Sequence, residues 1–359
     1  MAGNDKVLIV GGGIGGMSCA IALRLAGVSV DLVEINPAWN IYRAGITVTG
    51  PSLRDLRRLG VLDEFKQLGA VWQGACVFNQ QGTLLEQLSF PPPAPDLPAA
   101  GGILRPELHR ILSNRTLASG ARVRLGTTVE TLAQVPDGVE VKLTNGHREQ
   151  YSLVIGADGI FSKMRERVFP QAPRPSLTGQ VIYRLVIERP PDLDRTHCYL
   201  GRDGRLGYSP VSRTHMYMSL LLRSPSNPWV PTEEQPRRLH EALAGWGGIT
   251  PQVRRTFLGN NAGTVNYRPL QSVLLPQPWY RGRVVLIGDA AHASSPHLAC
   301  GASVAVEDAI VLAEEIARDR DIDAALPRYM SRRLEPIPPE SAHPSLPPGQ
   351  GFAGSAPAA

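Results

Sequence analysis

The sequence has few cysteines and no long apolar run, and both features limit the class of protein that it can encode. Its four cysteines, Cys19, Cys76, Cys198 and Cys300, are far apart and lack the spacing of a metal site or a disulfide framework. No run of about 18 apolar residues predicts a membrane span. The chain also opens directly into an apolar strand and not into a cleavable signal. We therefore expect a cytoplasmic protein in a reducing compartment, without a membrane span.

Basic residues are in excess, but they are dispersed along the chain. Lys and Arg number 37 against 32 Asp and Glu, which gives a formal net charge of +5. Because no run of five basic residues occurs, nucleic acid is not an expected partner. Dispersed arginines can still attract an anionic cofactor or a carboxylated substrate. With 359 residues, of which 43% are hydrophobic, the chain is long enough for one large domain or two.

The segment from Val7 to Glu34 predicts a strand, a glycine turn, a helix and a second strand. Gly11, Gly13 and Gly16 have the G-x-G-x-x-G spacing. In such a turn the first glycine allows the tight bend, the second lets a pyrophosphate touch the backbone, and the third lets helix and strand pack closely. Glu34 follows at the distance where a carboxylate accepts hydrogen bonds from ribose hydroxyls. The segment predicts a dinucleotide site for either FAD or NAD(P).

Two later segments each place Gly and Asp directly after an apolar strand. They are GADG at residues 156–159 and GDAAH at residues 288–292. A helix predicted from about Gly301 has small apolar residues along one face, and its positive end points at whatever lies before it. Between the two segments the chain is rich in predicted strands, with one helix expected near residues 237–245.

Taken together, the glycine turn, GADG and GDAAH resemble the motifs of the FAD-dependent aromatic hydroxylases. These are single-component flavin monooxygenases typified by para-hydroxybenzoate and salicylate hydroxylases, and the resemblance covers roughly residues 6 to 330. It favours FAD over NAD(P) as the bound dinucleotide. It implies an α/β fold in which a Rossmann-like FAD-binding domain with a β-meander is joined to a β-sheet-based substrate domain, as in para-hydroxybenzoate hydroxylase.

The resemblance also implies domain boundaries. The FAD-binding domain is expected to be discontinuous and the substrate domain to be inserted into it. The expected FAD-binding segments are 1–73, 99–175 and 268–334, the expected substrate-domain segments are 74–98 and 176–267, and 335–359 is expected to be a disordered Pro-rich tail.

The family motifs imply which residues contact FAD. The glycine turn would hold the pyrophosphate and Glu34 the adenosine ribose, while Asp289 would accept hydrogen bonds from the ribityl chain. Asp158 would support cofactor and reductant binding through the geometry of its loop. The remaining expected FAD contacts are Arg43, Gly45, Ile46, Arg105 and the helix start at Gly301, Ala302 and Ser303.

Four residues are candidates for the substrate side of the site. Tyr208 lies on a predicted strand and would hydrogen-bond a ring hydroxyl, or it is a half-buried strand tyrosine. Arg184 interrupts an apolar strand, so it is either a contact to a carboxylate or the flavin edge, or part of a buried ion pair. Thr47 is expected close to the flavin ring, where it would orient a substrate. Pro296 belongs to the loop before the Gly301 helix.

The activity that the resemblance implies is hydroxylation of a small aromatic or N-heteroaromatic substrate. NADH or NADPH would reduce FAD, O2 would form a C4a-hydroperoxide, and its terminal oxygen would be transferred to the ring. Two alternatives stay open, namely an FAD-linked reductase or epoxidase on the same fold, and a catalytically silent FAD-binding or interaction protein. A halogenase is not expected, because no W-x-W-x-I-P motif occurs. A homodimer is possible.

Overall fold

The computed structural model describes residues 6–257, 265–294 and 301–334, which fold into two connected sheet-based units. Pro296 and the Pro-rich segment 335–359 lie outside the described residues, so the expectations for them stay predictions. No helix among the described residues is both long and apolar enough to cross a membrane.

The first unit contains a six-stranded sheet in which five neighbouring strands are parallel. Its central strand is almost completely apolar and buried, as expected for a parallel strand covered on both faces. The strand order is β18-β19-β12-β1-β2-β8, with β18 antiparallel at the edge. The strands are β1 (Lys6–Val10), β2 (Ser29–Glu34), β8 (Arg122–Leu125), β12 (Leu153–Gly156), β18 (Tyr280–Arg281) and β19 (Val284–Leu286).

Helices complete this unit, and its core is one continuous apolar cluster of sheet and helix side chains. The helix after the glycine turn packs against two others, one from the first third of the chain and one from its C-terminal part. The helices are α1 (Ile14–Leu25), α2 (Gly50–Arg58), α3 (Leu62–Leu68), α4 (Arg105–Ala118), α5 (Lys163–Val168), α8 (Asp289–His292), α9 (Gly301–Asp319) and α10 (Ile322–Leu334).

The predicted β-meander forms a separate antiparallel sheet next to the parallel one. Its first turn lies at Pro136-Asp137 and its second at Asn145-Gly146, where Gly146 has a φ of 87°. The left-handed conformation at Gly146 suits a residue without Cβ. The strands, in the order β11-β10-β9, are β9 (Val129–Val135), β10 (Gly138–Leu143) and β11 (Arg148–Tyr151).

The second unit is a seven-stranded sheet built from both segments expected to form a substrate domain, and its last strand continues to Ser272. One face is covered by α6 (Gln235–Ala242) and α7 (Thr250–Phe257), where the sequence predicts a single helix. The sheet order is β17-β13-β16-β15-β14-β5-β6, with β5 (Ala75–Asn79), β6 (Leu84–Leu88), β13 (Ser176–Glu188), β14 (Thr196–Leu200), β15 (Gly204–Pro210), β16 (His215–Arg223) and β17 (Asn266–Ser272).

A small antiparallel sheet connects the two units. It consists of β3 (Gly45–Thr49), β7 (Ala100–Leu104) and β4 (Ala70–Trp72). The first of these strands contacts β13 and β16 of the large sheet and also α9 of the first unit. The sequence predicts a loop at this position, because five residues alone do not indicate a strand without knowledge of the pairing partner.

Buried charges join the meander to the parallel sheet. Lys6 Nζ lies 3.1 Å from Asp31 Oδ2 and donates to Glu149 Oε1 at 2.6 Å, and Arg124 also pairs with Asp31. The Tyr151 hydroxyl donates to both carboxylates. Partial burial alone would raise the pKa of Glu149, but hydrogen bonds from Lys6, His147 and Tyr151 lower this pKa to about 2.

Because the folded-state pKa of Glu149 lies below its usual value of 4.5, its ionised form stabilises the fold. This contribution is present above about pH 4.5 and is lost as the pH falls towards 2. We expect Glu149→Gln to reduce the free energy of unfolding at pH 7 and to have much less effect near pH 2.5. Urea unfolding at both pH values measures this. Glu130→Gln, at an exposed pair with Lys142, is the control and should change little at either pH; an equal loss in both variants would contradict the assignment.

Candidate active site

The glycine turn has the geometry that its spacing predicts. Gly11 has a φ of 112°, and a Cβ placed on it would lie 2.4 Å from the Ala157 carbonyl oxygen. A Cβ on Gly16 would lie 1.9 Å from the Gly11 carbonyl oxygen, so α1 can approach the turn only because this residue is glycine. By contrast, no atom lies within 4 Å of a Cβ built on Gly13. The protein leaves this side of the turn open.

Glu34 lies at the end of β2 and is held against the glycine turn. Its carboxylate accepts hydrogen bonds from the backbone N–H of Gly12 at 2.6 Å and of Asn36 at 2.7 Å. The Trp39 indole N–H donates to the Gly12 carbonyl oxygen at 2.9 Å, and the His109 ring meets the Trp39 ring edge-on at 5.7 Å. Sequence reasoning missed both rings, because only the fold brings α4 and the segment after β2 to this turn.

Asp158 of the GADG segment organises the start of α5. Its carboxylate accepts from the Ser162 hydroxyl at 2.5 Å and from the Met164 backbone N–H at 2.9 Å, while the Ser162 oxygen accepts from the Arg165 N–H. Burial raises the pKa of Asp158, and these hydrogen bonds act against that increase. The turn therefore depends on the side chain of Asp158 for its shape.

Arg165 joins the two Gly-Asp segments and was not identified from the sequence. Its side chain is buried, at 2% exposure, and its guanidinium donates to the carbonyl oxygens of Ile160 at 2.7 Å and Ala290 at 2.9 Å. Burial lowers the pKa of Arg165, while the Asp158 carboxylate raises it. The sequence does contain a Ser-x-x-Arg pattern after GADG, at residues 162–165. It does not show that the arginine binds the Ala290 carbonyl oxygen, because only the fold brings residue 290 next to α5.

Asp289 follows Gly288, whose φ of 57° turns the chain sharply at the end of β19. Protein atoms around Asp289 raise the pKa of its carboxyl group, while His292 and Arg105 lower it. Solvent nevertheless reaches this side chain. The Asp289 carboxylate is therefore close to protein and also open to solvent, and the Arg105 cation is near it; we call the space in front of Asp289 and Arg105 the cleft.

Helix α9 brings the glycine turn and the second Gly-Asp segment together. A Cβ on Gly15 would lie 3.3 Å from the Ala305 Cβ, and one on Gly288 would lie 3.0 Å from the same atom. Gly301, Ala302 and Ser303 form the first turn of α9, at the end nearest the site. The three separated motifs therefore meet at one edge of the parallel sheet, beyond the carboxyl ends of its strands, where ligands bind in such folds.

A family model described as "FAD binding domain" matches residues 4–335 of the chain. The chain belongs to the FAD-dependent aromatic hydroxylases. It is 34% identical over 314 residues to 2-heptyl-3-hydroxy-4(1H)-quinolone synthase of Pseudomonas aeruginosa, covering 86% of this chain and 79% of that protein. It is 32% identical over 340 residues to aurachin C monooxygenase/isomerase of Stigmatella aurantiaca, covering 92% and 85%. Klebsiella pneumoniae HpxO, crystallised with FAD and uric acid, superposes with a TM-score of 0.79 at 26% identity, covering 91% of this chain and 84% of that chain.

The side chains of this flavin monooxygenase fit FAD at the cleft. Arg105 Nε and Ser303 Oγ are both buried without a hydrogen-bond partner in the described part of the chain. Both residues are among the contacts to FAD expected from the sequence, and unpaired buried polar atoms usually have a partner that the protein does not supply. The open side of Gly13 and the N-terminus of α1 suit a pyrophosphate.

The β3 strand brings the hydroxylase's large sheet against the cleft. A Cβ on Gly45 would lie 2.2 Å from the Tyr217 Cβ, so only glycine lets β3 lie this close to β16. Tyr217 shares a hydrogen bond with Arg184. Thr47 is on the same side of β3 as Gly45 by strand alternation, whereas Ile46 packs towards the core of the first unit.

Arg43 and Arg105 are placed differently, although both are expected near the flavin. Arg43 is exposed in the irregular segment between β2 and β3. Arg105 is the first residue of α4, where its guanidinium stacks on the Tyr42 ring, 4.8 Å from the centroid, and donates to the Tyr42 hydroxyl. Its backbone N–H also bonds to the Ala44 carbonyl oxygen, so Arg105 is held firmly beside β3.

Tyr208 and Arg184 lie on opposite faces of the large sheet. Tyr208 pairs with Met218 and is fully buried among the side chains covered by α6 and α7, where its hydroxyl donates to Thr250 Oγ1 at 3.2 Å. Arg184 pairs with Ser219, one residue further along β16 and therefore on the other face. The substrate contact expected for Tyr208 has no support in this geometry, because the thickness of the sheet separates it from β3.

We expect Gly13→Ala to separate cofactor binding from folding. The added methyl group meets no protein atom, so the apoprotein should keep its melting temperature, while FAD affinity falls about tenfold or more because the pyrophosphate loses its close approach. Fluorescence titration of the apoprotein with FAD measures the dissociation constant. Gly16→Ala is the contrasting variant and should lower the melting temperature of the apoprotein itself. Unchanged FAD affinity in Gly13→Ala would contradict this assignment.

Proposed function

We propose that this flavin monooxygenase uses NADH or NADPH to hydroxylate a small aromatic substrate, most favourably an N-heteroaromatic one carrying an anionic oxygen or carboxylate. The observation that carries the proposal is the pairing of Arg184 with Tyr217 on the sheet face that lies against β3. Tyr217 is close enough to Arg105 for that cation to lower its pKa, and Arg105 acts in the same way on Asp289, which supports a position of this face beside the cleft. A substrate ring between this sheet face and the cleft would have the Arg184 cation and the Tyr217 phenol at its edge.

The names of similar proteins support this class of substrate. One relative is named as synthase of a hydroxyquinolone, and others are named urate hydroxylases. A solved structure with a similar fold contains uric acid beside FAD. Quinolones and urate are nitrogen heterocycles whose oxygens carry or share negative charge, which matches a guanidinium on the sheet face.

Each described side chain has a defined task in the proposed reaction. Arg184 would hold the anionic edge of the substrate, and its charge would favour a deprotonated hydroxyl on the ring. Burial raises the pKa of Tyr217 and the neighbouring Arg184 lowers it, so the phenol stays protonated near neutral pH and donates a hydrogen bond. When bound, FAD would accept electrons from NADH or NADPH and supply the chemistry of oxygen transfer. NADH or NADPH as the reductant, a cytoplasmic location and a possible homodimer stay predictions from the sequence.

The test of the activity is single-turnover oxidation in the presence of 18O2. The purified holoenzyme, reduced with NADPH or with dithionite, should insert one labelled oxygen atom into a hydroxyquinolone precursor or a purine. Controls without substrate should consume O2 and release hydrogen peroxide. Product formation without label would favour the reductase alternative, and labelled product from an isolated alkene would favour the epoxidase. Protein that never binds FAD would favour the silent alternative.

We expect Arg184→Gln to raise the KM for an accepted substrate about tenfold or more, because a charge-assisted hydrogen bond contributes about 1.5–3 kcal/mol. FAD affinity should stay within about twofold of the wild type. Steady-state kinetics and FAD titration of the same preparation measure both. Tyr208→Phe is the control, because its hydroxyl lies on the helix-covered face, and its KM should not change. A raised KM in Tyr208→Phe with an unchanged KM in Arg184→Gln would place the substrate on the other side of the sheet.

A further inference from the structure

Asp308 is a buried carboxylate in the middle of α9 that the proposed reaction does not use. Its side chain has 0% exposure, and the residues one turn away on the same helix face, Ala305, Val311 and Leu312, are buried and apolar. A buried carboxylate is costly unless charged or polar groups compensate it. Three groups compensate the Asp308 carboxylate. The Gly288 N–H and His292 belong to the turn that carries Asp289, and Arg333 belongs to α10.

One carboxylate oxygen of Asp308 holds this turn directly. Oδ2 accepts from the Gly288 backbone N–H at 2.7 Å and lies 2.6 Å from His292 Nε2. Burial lowers the pKa of His292, but its hydrogen bond and ion pair with Asp308 reverse the shift, so the net effect is a raised pKa. Since Gly288 and His292 flank Asp289 on both sides, Asp308 fixes the two ends of the single turn that presents Asp289 to the cleft.

The other oxygen of Asp308 connects this turn to the last described helix. Arg333 Nε, on α10, donates to Asp308 Oδ1 at 2.7 Å, and a second guanidinium nitrogen pairs with Glu307 Oε2 at 2.8 Å. Only 10% of the Arg333 side chain is exposed, so solvent screens its interaction with the buried Asp308 only weakly. The continuous chain of contacts runs from α10 through Asp308 to Gly288 and on to Asp289.

We propose that Asp308 is a positioning residue for the FAD-binding turn, and that Arg333 of α10 helps to hold Asp308 in place. Asp308 does not contact the cofactor position itself. It sets where Asp289 lies relative to Arg105, and thereby determines how well the turn accepts hydrogen bonds from a ribityl chain. The proposal concerns FAD retention and does not depend on which substrate is hydroxylated.

Glu315 provides a matched control on the same helix. It is also a buried acid, at 5% exposure, and it also pairs with arginines of α10, namely Arg328 at 2.9 Å and Arg332 at 2.7 Å. It makes none of the contacts to residues 288–292 that Asp308 makes. The two acids therefore differ in their connection to the turn and share their connection to α10.

The experiment compares Asp308→Asn with Glu315→Gln in the full chain. FAD is removed, the dissociation constant is measured by flavin fluorescence on titration, and the melting temperature of each apoprotein is recorded by circular dichroism. We expect Asp308→Asn to weaken FAD binding about tenfold or more and to shift the visible spectrum of bound flavin. Glu315→Gln should lower the apoprotein melting temperature while changing FAD affinity by less than about twofold.

A second pair covers the case in which Asp308→Asn does not fold. Arg333→Gln should weaken FAD binding more than Arg332→Gln does, although both remove one arginine from the α9–α10 contact. Equal losses of FAD affinity within each pair would overturn the proposal, because they would show that helix packing alone is responsible. Wild-type affinity and spectrum in Asp308→Asn would overturn it as well.

Discussion

Close approach of one backbone to another is the constraint on which this molecule depends. Helix α1 can reach the glycine turn only because Gly16 has no Cβ, and the turn can reach residue 157 only because Gly11 has none. Gly45 makes the same contribution between β3 and Tyr217. At each of these places a single methyl group would push apart elements that must meet. These close approaches depend on glycines at the places where layers touch.

Buried charges then hold the motifs in register. Arg165 ties the two Gly-Asp segments together through backbone carbonyls, and Asp308 ties the second one to α9 and α10. Each of these charges is compensated by several donors or acceptors and not by one exposed partner. Such networks are costly to break and specify a single arrangement. Asp289 and Arg105 are consequently presented by a rigid support, which is what a bound cofactor requires.

The two faces of the large sheet have different surroundings. The face covered by α6 and α7 contains large apolar and aromatic side chains, including Tyr208. The opposite face carries Arg184 and Tyr217 and lies against β3. Strand alternation makes this division automatic, since neighbouring residues on a strand point in opposite directions. One strand therefore places Arg184 towards β3 and its direct neighbour Leu185 in the helix-covered core.

Much of the fold was predictable from the sequence because its signals are local. The spacing of Gly11, Gly13 and Gly16, the apolar strands before Asp158 and Asp289, and the β-meander turns each reflect backbone requirements that a few neighbouring residues satisfy. FAD as the cofactor followed from the family that these three motifs together resemble. Tertiary structure alone decided the rest. Alternation could not say which face of β15 the helices would cover, so the sequence left both interpretations of Tyr208 open, and the packing of α6 and α7 favours the buried strand tyrosine. Nor could the sequence of α9 reveal that Asp308 would meet Gly288, His292 and Arg333, because those partners are distant in sequence and only packing brings them within hydrogen-bond distance.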